Sequence, residues 1–311
     1  MSFTSEVKNE VSKLDFTEAE NIAELSALIT TTAEIDATIK ITTENASVAR
    51  KIFYTIKQIF DINVKITVRK GFNFQRKYLY ILEITKNVDN ILETLGIENN
   101  ITSKYIYDDE ETLRAYLRGI FLGCGSINDP KKSRYHLEFL VSTKEKANQI
   151  NELLNKYNLG SKILQRESRY MVYIKGSEKI SDFLRLISAS NALLYYEDIR
   201  IYRDHKNMTN RLNNCEQANV EKMIQSAQNE VKIIEKLKEK DMFDLLDEKD
   251  KLIATYRLKY PESSLQELSE IISIETSTKL TKSGIYHRLR KIKELGQKIS
   301  NGSLSNSVGR Q

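Results

Sequence analysis

Apolar positions along the first 200 residues change period several times, and they do so twice in the same order. LSALITTTAEI, from Leu25, carries apolar residues at helical spacing, and ATIKIT after it alternates as a strand with one buried face does. ASVARKIFYTIKQIF returns to the helical period, NVKITVR and KYLYILEI alternate, and NVDNILETL closes the set as a helix. From Glu110 the order recurs as LRGIFLGCGSI, YHLEFLVS, KEKANQINELLNKYNL, SKILQRE, RYMVYIK and SEKISDFLRLI. Each copy thus reads helix, strand, helix, two strands, helix, and the equivalent Leu25 and Leu117 lie 92 residues apart. A unit of this size present twice is expected to pair with its copy about a pseudo-twofold axis and bury the shared surface. Within NVKITVR, Val64, Ile66 and Val68 are expected beneath helices, with Lys65, Thr67 and Arg69 on a polar sheet face.

After Asn207 the pattern becomes helical only. Val220, Ile224, Ala227, Val231, Ile234 and Leu237 recur every three or four residues, which predicts a long bridging helix, and the polar stretch Glu239 to Lys249 reads as a connection. Three short helices follow. LIATYRLKY stops before Pro261, which cannot continue a helix. SSLQELSEII opens with Ser264 and, three residues on, Glu267, the spacing of a capping box. After the Ser/Thr-rich connection SIETSTKLT, Thr281 is placed to cap TKSGIYHRLRKIKEL. The expected organisation is an N-terminal helix over 1–20, a first repeat over 21–104, a second over 105–206, a linker helix over 207–247, a helix-turn-helix over 248–298 and a disordered tail over 299–311.

Charge changes this picture only at the end of the chain. From Glu248 onward there are 12 Lys/Arg against 7 Asp/Glu, so the formal net charge of +5 resides there and the rest is balanced. Lys279 to Lys298 holds 7 basic residues and Glu294 alone, a cationic surface suited to a polyanion. On the last helix Ile285, Leu289 and Ile292 share one face, and Ser283, His287, Arg290 and Glu294 the other, flanked by Tyr286 and Lys291. In a helix-turn-helix that outer face enters the major groove of double-stranded DNA. Lys282, Ser283, Tyr286, His287 and Arg290 then reach base edges, while Arg288, Lys291, Lys293 and the first turn after Thr281 meet phosphates. On the polar sheet faces Lys65, Arg69, Arg76, Lys77, Arg166 and Arg169 are candidates for auxiliary DNA contact.

Composition excludes more than it assigns. No apolar run approaches the roughly 18 to 20 residues of a membrane span, and the start MSFTSEVKNEV lacks the pattern of a signal peptide, so a cytoplasmic protein is expected. Cys124 and Cys215 cannot make a disulfide framework, and His136, His205 and His287 are too scattered for a metal site or triad. No cofactor, metal or small-molecule substrate is implied.

LRGIFLGCGSI is similar to the helix motif of LAGLIDADG homing endonucleases, in which Leu117, Gly119 and Gly125 match. The resemblance implies an α+β fold, a duplicated αββαββα pseudodimer, followed here by an all-α helix-turn-helix domain. In that family each motif helix ends in an acid that holds a metal. Here those positions are Thr32 and Cys124, and neither a hydroxyl nor a thiol replaces a carboxylate for Mg²⁺. Asp36 and Asp129 lie just beyond the two helices, and Asp129, before Pro130, reads as a turn residue. What remains of the motif is its packing part: Gly119 and Gly123, with Ala27 and Thr31 in the first copy, are small residues four apart that let two helices approach closely.

An acid-less pseudodimer with a long linker and a basic helix-turn-helix resembles the WhiA regulators of Gram-positive bacteria. MSFTSEVK, LRGIFLGCGSINDPKKSRYHLE, YIKGSEKISDFL, NALLYYEDIR, NRLNNCEQAN and KSGIYHRLRKI carry the likeness over nearly the whole chain. The resemblance implies a nucleoid-associated, non-enzymatic DNA-binding regulator acting in cell division and chromosome segregation, with sporulation roles in some lineages and other regulators or division proteins as further partners. Two other readings compete. An active homing endonuclease would cut plasmid DNA with Mg²⁺, and a division-machinery scaffold with incidental DNA binding would keep its division function in DNA-binding variants.

Overall fold

A computed structural model describes residues 2–70, 78–132 and 134–300. The chain divides into two compact units between Asp204 and His205.

In the first unit, α1 (Phe3–Val11) precedes two copies of one arrangement. The first copy is α2 (Glu18–Thr32), β1 (Ala33–Ile35), β2 (Ile39–Thr43), α3 (Ala46–Phe60), β3 (Lys65–Lys70), β4 (Tyr78–Ile84) and α4 (Val88–Thr94). A two-residue pair, β5 (Ile97–Glu98) with β6 (Ile101–Thr102), follows. The second copy is α5 (Glu110–Cys124), β7 (Gly125–Ile127), β8 (Leu137–Val141), α6 (Lys144–Lys156), β9 (Lys162–Arg166), β10 (Arg169–Ile174) and α7 (Ser177–Leu186). The sheets have equivalent antiparallel orders, β1-β2-β4-β3 and β7-β8-β10-β9. Each copy is therefore αββαββα, the LAGLIDADG-type unit.

The three-strand reading of each copy is corrected by β1 and β7. The helical spacing predicts AEI and GSI as helix ends, yet Ala33 and Gly125 are extended and both segments pair with the next strand. A second correction concerns β3. Ile66 and Val68 lie in register with Leu82 and Tyr80, on the side that carries the core, but remain 44% and 53% exposed because β3 is an edge strand. The other sheet face is less polar than expected as well: Ile81 and Met171 are buried there, and Leu140 and Leu164 flank Met171.

α2 and α5 cross at the small residues. A Cβ on Gly119 would collide with the Glu24 carbonyl oxygen and lie 2.8 Å from the Ala27 methyl, and one on Gly123 would meet the Thr31 hydroxyl. Only glycine permits this approach, so the packing role read from the sequence is the observed one. Next to this crossing, buried Arg118 lies across the interface with its Nε 2.5 Å from Glu24 Oε2 and its guanidinium 3.4 Å from the Phe16 ring centroid. Lys51 and Glu20 stand at the edge of this pair, 3.9 and 3.8 Å away.

The long helix α8 (Ser190–Glu239) begins one residue before NALLYYEDIR, well ahead of Asn207, because nothing in that stretch breaks a helix. In the second unit its last turns bury Ala227, Ile234 and Leu237, whereas Val220 is half exposed against expectation. Ile234 and Leu237 join α9 (Glu248–Lys259), α10 (Leu265–Thr276) and α11 (Lys282–Ser300) around one apolar core. Among the described residues no helix is long and apolar enough to cross a membrane. The expected tail beyond residue 300 lies outside the described residues.

Candidate nucleic-acid interface and the acid-less helix pair

Ile285, Leu289 and Ile292 of α11 pack on Ile253, Ala254, Leu268 and Ile272, which fixes which side of the helix faces outward. The helix starts where expected: the Gly284 N–H donates to Thr281 Oγ1 at 3.1 Å. α10 opens with the capping box, Ser264 and Glu267 exchanging bonds of 2.7 and 3.2 Å. It runs on to Thr276, further than SIETSTKLT suggested, with Ser273 and Thr276 donating back to carbonyls four residues earlier. Ser277, at φ 54°, ends it in the left-handed region, so only residues 277–281 form the turn.

The outward face then presents Lys282, Ser283, Tyr286, His287 and Arg290, all exposed, with Lys293 beside them. Tyr286 and His287 meet edge to face at 5.6 Å, and Arg290 makes an exposed pair with Glu294 at 3.0 Å. Two residues expected at phosphates are engaged inside the unit. Arg288 reaches Asp250 at 2.7 Å and Asp247 at 3.2 Å, and Lys291 reaches the same two at 2.9 and 3.1 Å. Asp247 caps α9, and the Asp250 backbone N–H, followed by Lys291, holds its carboxyl down to about 2. Helix-face periodicity does not show the two aspartates; their signal in the sequence is the N-cap pattern DEKD at the start of α9.

On the sheets, Lys65 and Arg69 sit on the face opposite Leu82, with Lys65 paired to Glu83 at 3.2 Å. Arg166 and Arg169 lie in register at the end of the β9-β10 hairpin, both exposed. Arg76 and Lys77 lie outside the described residues.

The ends of α2 and α5 hold the two positions where a nuclease of this fold carries acids. Thr32 Oγ1 donates to the Leu28 carbonyl at 2.7 Å, and the Cys124 thiol turns to the Ile120 carbonyl at 3.4 Å. Beside them stand two cations that the sequence did not single out. Lys146 Nζ donates to the Thr30 carbonyl at 2.6 Å, and Lys8 from α1 lies 5.7 Å over the Phe121 ring and couples electrostatically to Cys124. Helix C-termini carry partial negative charge, and ammonium groups are the complementary charge at that place. Neutral donors with two lysines do not fit a divalent metal. Asp129 accepts the Lys131 N–H at 2.9 Å as a turn residue, and no cluster of three His, Cys, Asp or Glu suited to a metal occurs among the described residues.

Burial pushes the Cys124 thiol up to about 12, with the Lys8 ammonium opposing, whereas Cys215 is exposed. Because the thiolate is the reacting form, a disulfide reagent at pH 8 is expected to titrate exposed Cys215 promptly and half-buried Cys124 far more slowly until the protein unfolds. Two equally fast thiols in the native protein would contradict this burial.

The fold and its interface define a LAGLIDADG-type pair of repeats without motif acids, joined to a helix-turn-helix. Three family models match in sequence: a WhiA N-terminal LAGLIDADG-like domain over residues 18–98, a WhiA LAGLIDADG-like domain over 113–206 and a WhiA C-terminal HTH domain over 209–296. The chain belongs to the WhiA family. It is 41% identical over 313 aligned positions to a probable cell division protein WhiA of Staphylococcus haemolyticus, covering 97% of this chain and 98% of that protein. The Staphylococcus aureus counterpart is 40% identical with the same coverage. Among solved structures, full-length DUF199/WhiA from Thermatoga maritima aligns with 96% of this chain and 99% of its own at a TM-score of 0.58 and 25% identity.

Proposed function

We propose that this chain is a non-enzymatic, sequence-specific binder of double-stranded DNA that acts as a transcription regulator in cell division and chromosome segregation, with α11 as its reading helix. The observation that carries the proposal is the exposed row Lys282, Ser283, Tyr286, His287 and Arg290 on a capped helix whose opposite side is locked into a three-helix core. Arginine and hydroxyl groups on such a face match base edges, and Lys293 with the first-turn amides matches phosphates. Arg288 and Lys291 are reassigned: their ion pairs to Asp247 and Asp250 fasten α11 to α9. Arg69, Arg166 and Arg169 add cationic charge on the sheet faces, where auxiliary phosphate contact is the role that remains for them. The non-enzymatic part rests on Thr32, Cys124, Lys8 and Lys146, a set without hard anionic metal ligands. The cytoplasm, at the nucleoid, is the place this function implies.

The test is retention of pooled genomic duplexes on the full-length protein at rising salt with Mg²⁺ present, followed by sequencing and sizing. Selective retention of uncut fragments is expected, with Arg290→Ala weakening binding about tenfold or more, in line with about 1 to 3 kcal/mol for a base-reading arginine. Uniform weak retention that ignores Arg290→Ala would sink the reading and favour the scaffold, and cleaved fragments would restore the nuclease.

A further inference from the structure

Five turns of α8, from His205 to Lys222, are exposed around their whole circumference. They contain five asparagines, 207, 210, 213, 214 and 219, which form helix weakly because their amides compete for backbone groups. Helices in proteins owe most of their stability to a packed face, and this stretch has no such face. Its residues are nonetheless segregated. At 100° per residue, Lys206, Asn207, Asn210, Asn214 and Gln217 share one side, with Arg211 at its margin. No acid stands on that side before Glu221, which accepts the Gln217 amide at 3.0 Å. Met208, Leu212, Cys215 and Glu216 point the other way. The side chains of Lys206, Asn207, Asn210, Arg211 and Asn214 have no hydrogen bond or ion pair among the described residues.

We propose that this amide and cation face of α8 is a second contact for double-stranded DNA, in addition to the one assigned to α11. Lysine and arginine neutralise phosphates, and side-chain amides pair with the adenine edge or with phosphate oxygens. A protein partner that buries apolar surface finds only the Ala218 methyl on this side and Val220 at its margin; the large apolar residues Met208 and Leu212 stand opposite. Eighteen residues rise about 27 Å along the helix axis, enough to follow roughly eight base pairs of duplex.

The inference rests on the proposed DNA-binding function, and the experiment separates the two. A labelled mixed-sequence genomic duplex is titrated with the full-length protein, wild type and three variants, across a salt series. Lys206→Ala with Arg211→Ala is expected to lower the slope of log affinity against log salt by about two, one per lost phosphate contact. Asn210→Ala with Asn214→Ala is expected to weaken binding about fivefold or more. Alanine is the better helix former, so circular dichroism should show equal or greater helicity, and the loss cannot come from unfolding. Unchanged affinity and slope in both pairs overturns the inference, as does a self-association that these substitutions abolish, which would make a second copy the occupant. If Arg290→Ala alone removes binding, the α11 reading stands and this one falls; if only the α8 variants remove it, the reverse holds.

Discussion

Glu24→Ala is expected to destabilise the first unit by about 3 kcal/mol or more, because it strands a buried guanidinium. Arg118 is 1% exposed and lies between α2 and α5 against the Phe16 ring, with Glu24 its near partner. The remaining carboxylate, Glu20, is 3.8 Å away and offers only partial compensation. Lys51, now within 3.9 Å of Glu24, would lose an anion as well, though it keeps the Leu14 carbonyl and the Asn21 amide oxygen. Breaking such a pair and replacing it are different experiments. Glu24→Leu with Arg118→Met removes both desolvation penalties and should fall within about 1 to 2 kcal/mol of the wild type. Urea unfolding of the full chain, fitted with separate transitions for the two units, measures both. A loss below about 1 kcal/mol in Glu24→Ala would mean that water reaches Arg118 and that the interface is looser than described.

The second large effect is expected at Gly119. Glycine is required there because the obstacle is the Glu24 carbonyl oxygen, a backbone atom inside a helix that cannot swing aside. Gly119→Ala should lose about 3 kcal/mol, the upper end of ordinary overpacking, and Gly119→Val should leave the first unit unfolded. Gly123→Ala should be milder, about 1 to 2 kcal/mol, because its neighbour is the Thr31 hydroxyl, which can rotate away once its bond to the Ala27 carbonyl is given up. The order of the three is the test. Equal losses at 119 and 123, or a Gly119→Ala protein that melts with the wild type, would place the crossing elsewhere on the helices.

Much of this architecture was legible because it rests on periodicity and local chemistry. The duplication, the small residues at 27, 31, 119 and 123, the capping box at Ser264 and the outward face of α11 all follow from spacing along the chain. What escaped was short, or depended on the partner across a gap. β1 and β7 have three residues each, too few to show a two-residue period, and they continue directly from helices. Ile66 and Val68 alternate as buried residues do, yet their strand lies at an edge, and alternation gives the face of a strand but not its place in the sheet. Arg288 and Lys291 look free in a helical projection; Asp247 and Asp250, about 40 residues earlier, decide otherwise. Lys8 and Lys146 were invisible for the same reason, since they come from α1 and α6 to the ends of helices they do not belong to.

Those two lysines also bear on what a metal site would require here. In a fold of this kind, nuclease chemistry calls for two acids, one at Thr32 and one at Cys124. Each new carboxylate would emerge near an ammonium already held at the helix ends, and the pairing would neutralise it before a divalent ion arrived. The charge at these helix ends is cationic, not merely neutral. Building a metal site here therefore requires changes on α1 and α6, outside the motif helices, in addition to the two acids.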